Sequence, residues 1–213
     1  MMPKIALASA SPRRRELLTQ LQQDFVIVQA PIDEQVHPAE LAIDYVQRLA
    51  LEKAGAGWQA QWCNYATDGA AAPLPTLGAD TIVVVDGEIL GKPRDRDDFY
   101  RMMRLLSGRR HHVMTAIALV WEPHMAAKAL DPRHTPSMNR VKLVQTEVSF
   151  MPLSDHDIDA YWRSGEPQDK AGGYGIQGLG GRFVTHLSGS YFAVVGLPLY
   201  ETQQLLAQLE AQS

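Results

Sequence analysis

Four basic residues, two acids and one glycine-rich loop are the parts of this chain whose types suit chemistry. The stretch ASASPRRRELL, residues 8–18, sets Arg13, Arg14 and Arg15 just after Ser11 and Pro12. Ser at an N-cap and Pro at the first helical position predict a helix start there. The helix dipole makes that end positive, so arginine is the wrong charge for stability alone. Two readings fit: an anion resting on the first turn, held by backbone N–H groups and guanidinium forks, or three solvated arginines pointing away. Lys53 continues the apolar stripe Ala42, Val46, Leu49 of a predicted helix. It is either a snorkelling lysine or an ammonium directed along the core face into a cleft. Asp80 is expected to open a strand whose next five residues are TIVVV. Partial desolvation there should raise its pKa unless a cation or metal favours the charged form. Lys92 in GKP and Glu34 in APIDEQ carry little information by themselves. In AGGYGIQGLGG, residues 171–181, the glycine spacing is not a dinucleotide fingerprint and a strand follows. The loop is read either as one that lets backbone approach a flat ligand, with Gln177 offering a donor and an acceptor to a base edge, or as a structural hinge.

Other chemistries are absent. There is no G-x-S-x-G elbow and no Walker lysine motif. The neighbours His111 and His112 point to opposite faces of a strand and make no metal site. A single cysteine, Cys63, rules out an internal disulfide and any zinc site built on several cysteines. The remaining set, Arg13, Arg14, Lys53, Lys92, Glu34 and Asp80 with Gln177, suits a polyphosphate with a divalent cation.

The elements that must position these residues follow from the pattern of the chain. KIALAS is a buried strand running into the Ser11–Pro12 cap, with a helix to about Gln22. DFVIVQAP is a second strand, ended by Pro31. Residues 38–58 are helical, and residues 59–76 show no period and are expected to be a long loop. TLGADTIVVVDGEIL is a strand, an Asp86–Gly87 hairpin turn and a return strand. A helix closed by Gly108 follows, then the strand HHVMTAIALVW, a second long loop at 122–139 and the half-exposed strand RVKLVQTEVSF. SDHDIDAYWRSG carries a Ser154…Asp157 capping box. RFVTHL and YFAVVG are expected to pair as strands, and a last helix starts near Pro198. The fold class is α/β with a mixed sheet, because strands alternate with helices but one connection is a tight hairpin. The 213 residues, 46% of them hydrophobic, suit a single domain of one or two lobes. A net charge of −4 gives no reason to expect nucleic acid or a membrane surface as partner. No apolar run is long enough to span a bilayer, and the first residues do not read as a signal peptide. A cytoplasmic protein is the simplest expectation.

Seven segments, SASPRRRELL, EK at 52–53, LGADTIV, GEILGKP, LSG..H.V.T, DKAGGYGIQG and VVGLPL, resemble in the same order those of the Maf, or septum-formation-inhibitor-like, nucleotide pyrophosphatases. The likeness runs from about residue 5 to residue 206. It implies an α/β fold related to inosine-triphosphate pyrophosphatases: a mixed twisted sheet flanked by helices, two lobes and a central cleft, in one domain over residues 1–213. It implies hydrolysis of a nucleoside triphosphate to the monophosphate and pyrophosphate with a divalent metal, Mg²⁺ or Mn²⁺. By the same resemblance Asp80 is the proton acceptor and Lys53, Lys92 and Glu34 are catalytic. Ser9, Arg13, Arg14, Thr81 and Gln177 bind or select substrate, and Glu34 and Asp80 are the candidate metal ligands. Arg13, Thr81 and Gln177 match the branch that prefers dTTP and UTP. Gly173 and Ala193 depart from residues common in the family. A nucleotide-binding regulator of cell division with little turnover is the alternative, and the oligomeric state, a homodimer included, is left open.

Overall fold

The structure is a computed structural model that describes residues 3–29, 31–68, 71–122 and 138–210. The elements are β1 (Ile5–Ala8), α1 (Pro12–Gln20), β2 (Phe25–Ile27), α2 (Ala42–Asp68), β3 (Thr76–Val85), β4 (Glu88–Leu90), α3 (Arg96–Leu106), β5 (Arg110–Trp121), β6 (Met138–Phe150), α4 (Asp155–Arg163), β7 (Val184–Ser188), α5 (Tyr191–Val195) and α6 (Leu199–Glu210). Seven strands form one sheet in the order β2-β1-β3-β5-β6-β7, with β4 paired to β3. β1 runs parallel to β2 and β3, whereas β4 is antiparallel to β3 and β7 to β6. The sheet is therefore mixed. The Asp86–Gly87 hairpin forms as its sequence demands, with both residues at positive φ, 50° and 81°.

The chain forms two compact units. The first contains Met1–Asp80, Ala116–Leu143 and Gly196–Ser213; the second contains Thr81–Thr115 and Val144–Val195. In the first unit, Val46, Leu49, Ala54 and Trp58 of α2 are buried, as are Ile5 and Leu7 of β1 and Leu77 and Ala79 of β3. The contact is close because of two glycines. A Cβ on Gly57 would lie 2.7 Å from the Ala8 Cβ, and one on Gly78 would lie 2.4 Å from the Ala50 carbonyl oxygen. The second unit is built on an aromatic core in which Phe99, Phe150, Tyr161, Tyr174 and Phe183 are all buried.

Three expectations need correction. Residues 59–68 are not a loop: α2 runs unbroken to Asp68. Trp58 and Trp62 stack one helical turn apart at 5.4 Å, and Tyr65 lies 5.5 Å beyond Trp62. Spacings of four and three residues keep the buried stripe going through a polar-looking stretch. Gln61 then ties the returning chain to the helix, donating to Thr76 Oγ1 at 2.9 Å and accepting from the Leu74 amide at 3.1 Å. The segment YFAVVG is a short helix, not a strand. Ser190 starts it by accepting from the Ala193 amide at 3.2 Å, and this local cap outweighs the β-branched and aromatic residues inside. Asp80 does not open its strand but is the fifth residue of the ten in β3. The second expected loop falls mainly on residues 123–137, outside the described residues, and residues 138–139 already belong to β6. The capping box of α4 forms as expected, with Ser154 and Asp157 bonded reciprocally.

Candidate active site

The short turn from β1 to α1 sets the arginines. Ser11 is extended at the N-cap position, and Pro12 begins the helix. The Ser11 hydroxyl makes no capping bond; instead the Ser11 amide donates to Ser9 Oγ at 3.2 Å. Arg14 turns back across this loop, donating from Nη1 to Ser9 Oγ at 3.2 Å and from Nε to the Gly196 carbonyl at 2.9 Å. Its guanidinium is thus fixed rather than solvated. Burial lowers its pKa, the charges of Asp80 and Glu34 oppose that, and the adjacent Arg13 adds to it.

Lys53 is paired with two carboxylates. Its Nζ lies 2.6 Å from Asp80 Oδ1 and 2.7 Å from Glu34 Oε1. The Lys53 and Asp80 side chains are only 16% and 10% exposed, so this is not a snorkelling lysine. The pair depends on Gly78, because residues two apart on a strand share a face and a side chain at 78 would push α2 away. Glu34 comes from the long connection between β2 and α2, and α2 itself holds that connection. Tyr45 Oη donates to the Glu34 carbonyl at 2.8 Å. Arg48 donates to the Gln35 carbonyl at 2.9 Å and forks onto the Glu40 carboxylate at 2.6 and 2.7 Å. The Arg48 guanidinium holds the Glu40 carboxyl down at about 2. Burial, with the Asp80 and Glu34 charges, pushes the Tyr45 phenol up to about 12, so it stays a neutral donor. Tyr45, Arg48 and Gly196 carry no chemical signature in the sequence; only their contacts reveal them.

The second unit places the other candidates. Thr81 Oγ1 is 2.9 Å from Thr115 Oγ1, which donates to the Ala193 carbonyl at 2.6 Å. Since Thr115 has one hydroxyl hydrogen, Thr81 is the donor of that pair. The partner of Thr115 is the backbone of Ala193, so the departure from the family's usual side chain leaves this bond intact. Lys92 and Gln177 are exposed and make no hydrogen bond or ion pair among the described residues. His111 is buried and bonded to Tyr174 Oη at 2.8 Å.

The glycine-rich loop needs its small residues for contacts within the chain. A Cβ on Gly172 would meet Val83 Cγ2 at 2.7 Å, and one on Gly173 would meet Phe99 Cδ2 at 2.9 Å. Alanine, the residue common at 173 in the family, would need both that space and the positive φ of 70° found here. Among the described residues no three His, Cys, Asp or Glu side chains cluster as a metal site. Glu34 and Asp80, converging on one ammonium, nevertheless fit Mg²⁺ or Mn²⁺ when phosphate oxygens complete the shell, because Mg²⁺ is commonly held by one or two carboxylates plus substrate phosphates.

The profile of the family described as Maf-like protein matches residues 4–209. The chain belongs to the Maf-like family. Its relatives include a dTTP/UTP pyrophosphatase of Pseudoalteromonas translucida, 52% identical over 95% of both chains. One of Photobacterium profundum is 50% identical over 95% of both chains. One of Escherichia coli O157:H7 is 51% identical over 99% of this chain and 95% of its own. A family defined over nearly the whole chain accounts for the order of the motifs, including those that α2 and β3 bring together at Lys53.

Proposed function

We propose that this chain hydrolyses dTTP and UTP to the nucleoside monophosphate and pyrophosphate. The observation that carries the reading is the Lys53 ammonium shared by Asp80 and Glu34, with the half-buried, hydrogen-bonded Arg14 guanidinium nearby, in a chain about half identical to proteins named dTTP/UTP pyrophosphatase. Arg13 and Arg14, at the positive end of α1, bind the triphosphate with Lys92, and Ser9 keeps Arg14 aimed. Asp80 accepts a proton from the attacking water while Lys53 fixes its carboxylate. The water oxygen bonds to the α-phosphorus, the bond to the bridging oxygen breaks, and pyrophosphate leaves with that electron pair. Glu34 and Asp80 would hold a divalent cation, which supplies charge neutralisation at the phosphates. Gln177 reads the O4 and N3–H edge of uracil or thymine, and Thr81 contributes to base choice.

A nucleotide substrate fits work in the cytoplasmic nucleotide pool, on ordinary or modified pyrimidine triphosphates. No helix among the described residues is long and apolar enough to cross a membrane. Pyrophosphate release measured over UTP, dTTP, CTP and GTP, with Mg²⁺, Mn²⁺ or EDTA, tests this reading. Turnover of UTP and dTTP that stops with EDTA is expected; tight binding of UTP without product would favour a regulator instead. Gln177→Glu should cut kcat/KM for UTP by roughly 5- to 150-fold, the consequence of a mispaired polar contact of ~1–3 kcal/mol once the bound base covers this exposed side chain. An equal loss on a 7-methylated GTP would show that Gln177 does not read the base.

A further inference from the structure

The turn that carries Gln177 is shaped by a carboxylate inside the same unit. Glu166 lies in a single 3₁₀ turn after α4, and its side chain points into the glycine-rich loop. Glu166 Oε2 accepts from the Leu179 amide at 2.7 Å, and Oε1 accepts from the Gly180 amide at 3.1 Å. Tyr161 Oη donates to Glu166 Oε1 at 2.8 Å and accepts from the Gly175 amide at 3.1 Å. The loop is therefore gripped on both sides of Gln177. Between the grips, the Gly178 amide donates to the Gly175 carbonyl at 3.2 Å, which closes a four-residue turn with Ile176 and Gln177 at its centre.

Two glycines record how tight this grip is. Gly178 has φ −109°, so its backbone does not call for glycine. A Cβ there would lie 2.3 Å from Glu166 Oε2. A Cβ on Gly180 would lie 2.6 Å from Tyr161 Oη. These positions are glycine because the Glu166 carboxylate and the Tyr161 phenol need the space. The hydrogen bonds also leave Glu166 well served as an anion. Burial opposes ionisation, but the Leu179 and Gly180 amides and the Tyr161 hydroxyl outweigh it and lower its pKa. Burial pushes the Tyr161 phenol well above its usual range, so it remains a donor.

We propose that Glu166, seconded by Tyr161, is the positioning residue that holds the Gly175–Gly178 turn in the shape from which Gln177 selects uracil and thymine. This rests on the reading of Gln177 as the base contact. Glu166 touches neither phosphate nor attacking water in this scheme, so its loss should appear in KM and base preference, not in kcat. Neutralising it puts an amide N–H against a backbone N–H and frees one side of the turn.

The test uses the full chain with Glu166→Gln, Gly178→Ala and Gln177→Ala, each assayed for kcat and KM on UTP and GTP. Amide hydrogen exchange is followed at Leu179 and Gly180. Glu166→Gln should speed exchange at those two amides and raise KM for UTP, each by about tenfold, the usual scale for losing a hydrogen bond to a charged group. It should leave kcat within about twofold and KM for GTP unchanged, since no interaction special to the transition state is removed. Gly178→Ala should reproduce that pattern without altering any acid or base. If Gln177→Ala loses UTP preference while Glu166→Gln keeps it, Glu166 is not a positioning residue and the base reading stands. If Gln177→Ala keeps UTP preference, the base reading fails and this proposal falls with it. Unchanged exchange at Leu179 and Gly180 in Glu166→Gln overturns the proposal by itself.

Discussion

Replacing Asp80 by Asn separates chemistry from folding at the centre of the candidate site. Asn keeps the volume and one oxygen for the Lys53 ammonium, which now lies 2.6 Å from Asp80 and 2.7 Å from Glu34. What is lost is the charge and the ability to take a proton. A hydrogen bond to a charged group contributes ~1.5–3 kcal/mol and a neutral one ~0.5–1.5. The substitution should therefore cost stability on the order of 1 kcal/mol, a fall in Tm of about 2–4 °C for a chain of this size. Lys53 is not left unpaired, because Glu34 remains. Loss of a general base costs ~10²–10⁴ in rate. Without a divalent cation, substrate affinity should hold or rise, since removing a carboxylate lessens repulsion of the triphosphate; with Mg²⁺ it should fall, since one of the two carboxylates that hold the ion is gone. The assay is pyrophosphate release from UTP for kcat, calorimetric titration of a non-hydrolysable UTP analogue for Kd, and thermal melting for stability. A kcat within about tenfold of wild type, short of the usual span for a general base, would refute the role given to Asp80. A Tm drop several times larger than stated would show that the carboxylate is chiefly structural.

Lys53→Met removes the ammonium that both carboxylates share, so kcat should fall at least about tenfold and stability should fall too, as leaving charges without their partner is costly; a variant as stable and active as wild type would contradict the shared-ammonium geometry. Gly55→Ala on α2 should stabilise by ~0.5–1 kcal/mol in a urea melt, because a Cβ there meets nothing within 4 Å and helix-interior glycine is unfavourable. Gly78→Ala should instead destabilise by ~1–3 kcal/mol and reduce kcat, because its Cβ would strike the backbone of Ala50 and Ala54 beside Lys53. Burial, then the charge of His112, lowers the His111 pKa from the ordinary 6.5 to about 4. The unfolded chain therefore binds the extra proton first as pH falls. Stability contributed by His111 is complete above about pH 6.5 and declines toward pH 4, with a slope approaching ~1.4 kcal/mol per pH unit. Urea midpoints measured from about pH 7.5 to about 4.5 should show a shallower acid decline in His111→Gln; parallel curves would contradict it.

Much of the fold is written locally. The Ser11–Pro12 start of α1, the Asp86–Gly87 hairpin and the Ser154–Asp157 capping box each depend on residues within a few positions of one another, and each forms. The chemistry-bearing types were equally legible: arginines at a helix start, a lysine on an apolar stripe, an aspartate among valines. Their arrangement was not. Whether Lys53 snorkels or serves a carboxylate depends on Asp80, 27 residues away, and on a glycine that lets two backbones meet. The second half of α2 and the helix at YFAVVG also have local causes, the four-residue spacing of Trp58 and Trp62 and the Ser190 cap, although their polar and β-branched compositions read as loop and strand. The glycines at 178 and 180 read as flexibility, yet they are the space that Glu166 and Tyr161 occupy. Periodicity and capping act through neighbours along the chain, so the sequence by itself determined most of the elements and all of the residue types. Ion pairing, close backbone approach and shared hydrogen bonds act through space, and only the tertiary structure decided which of those residues meet.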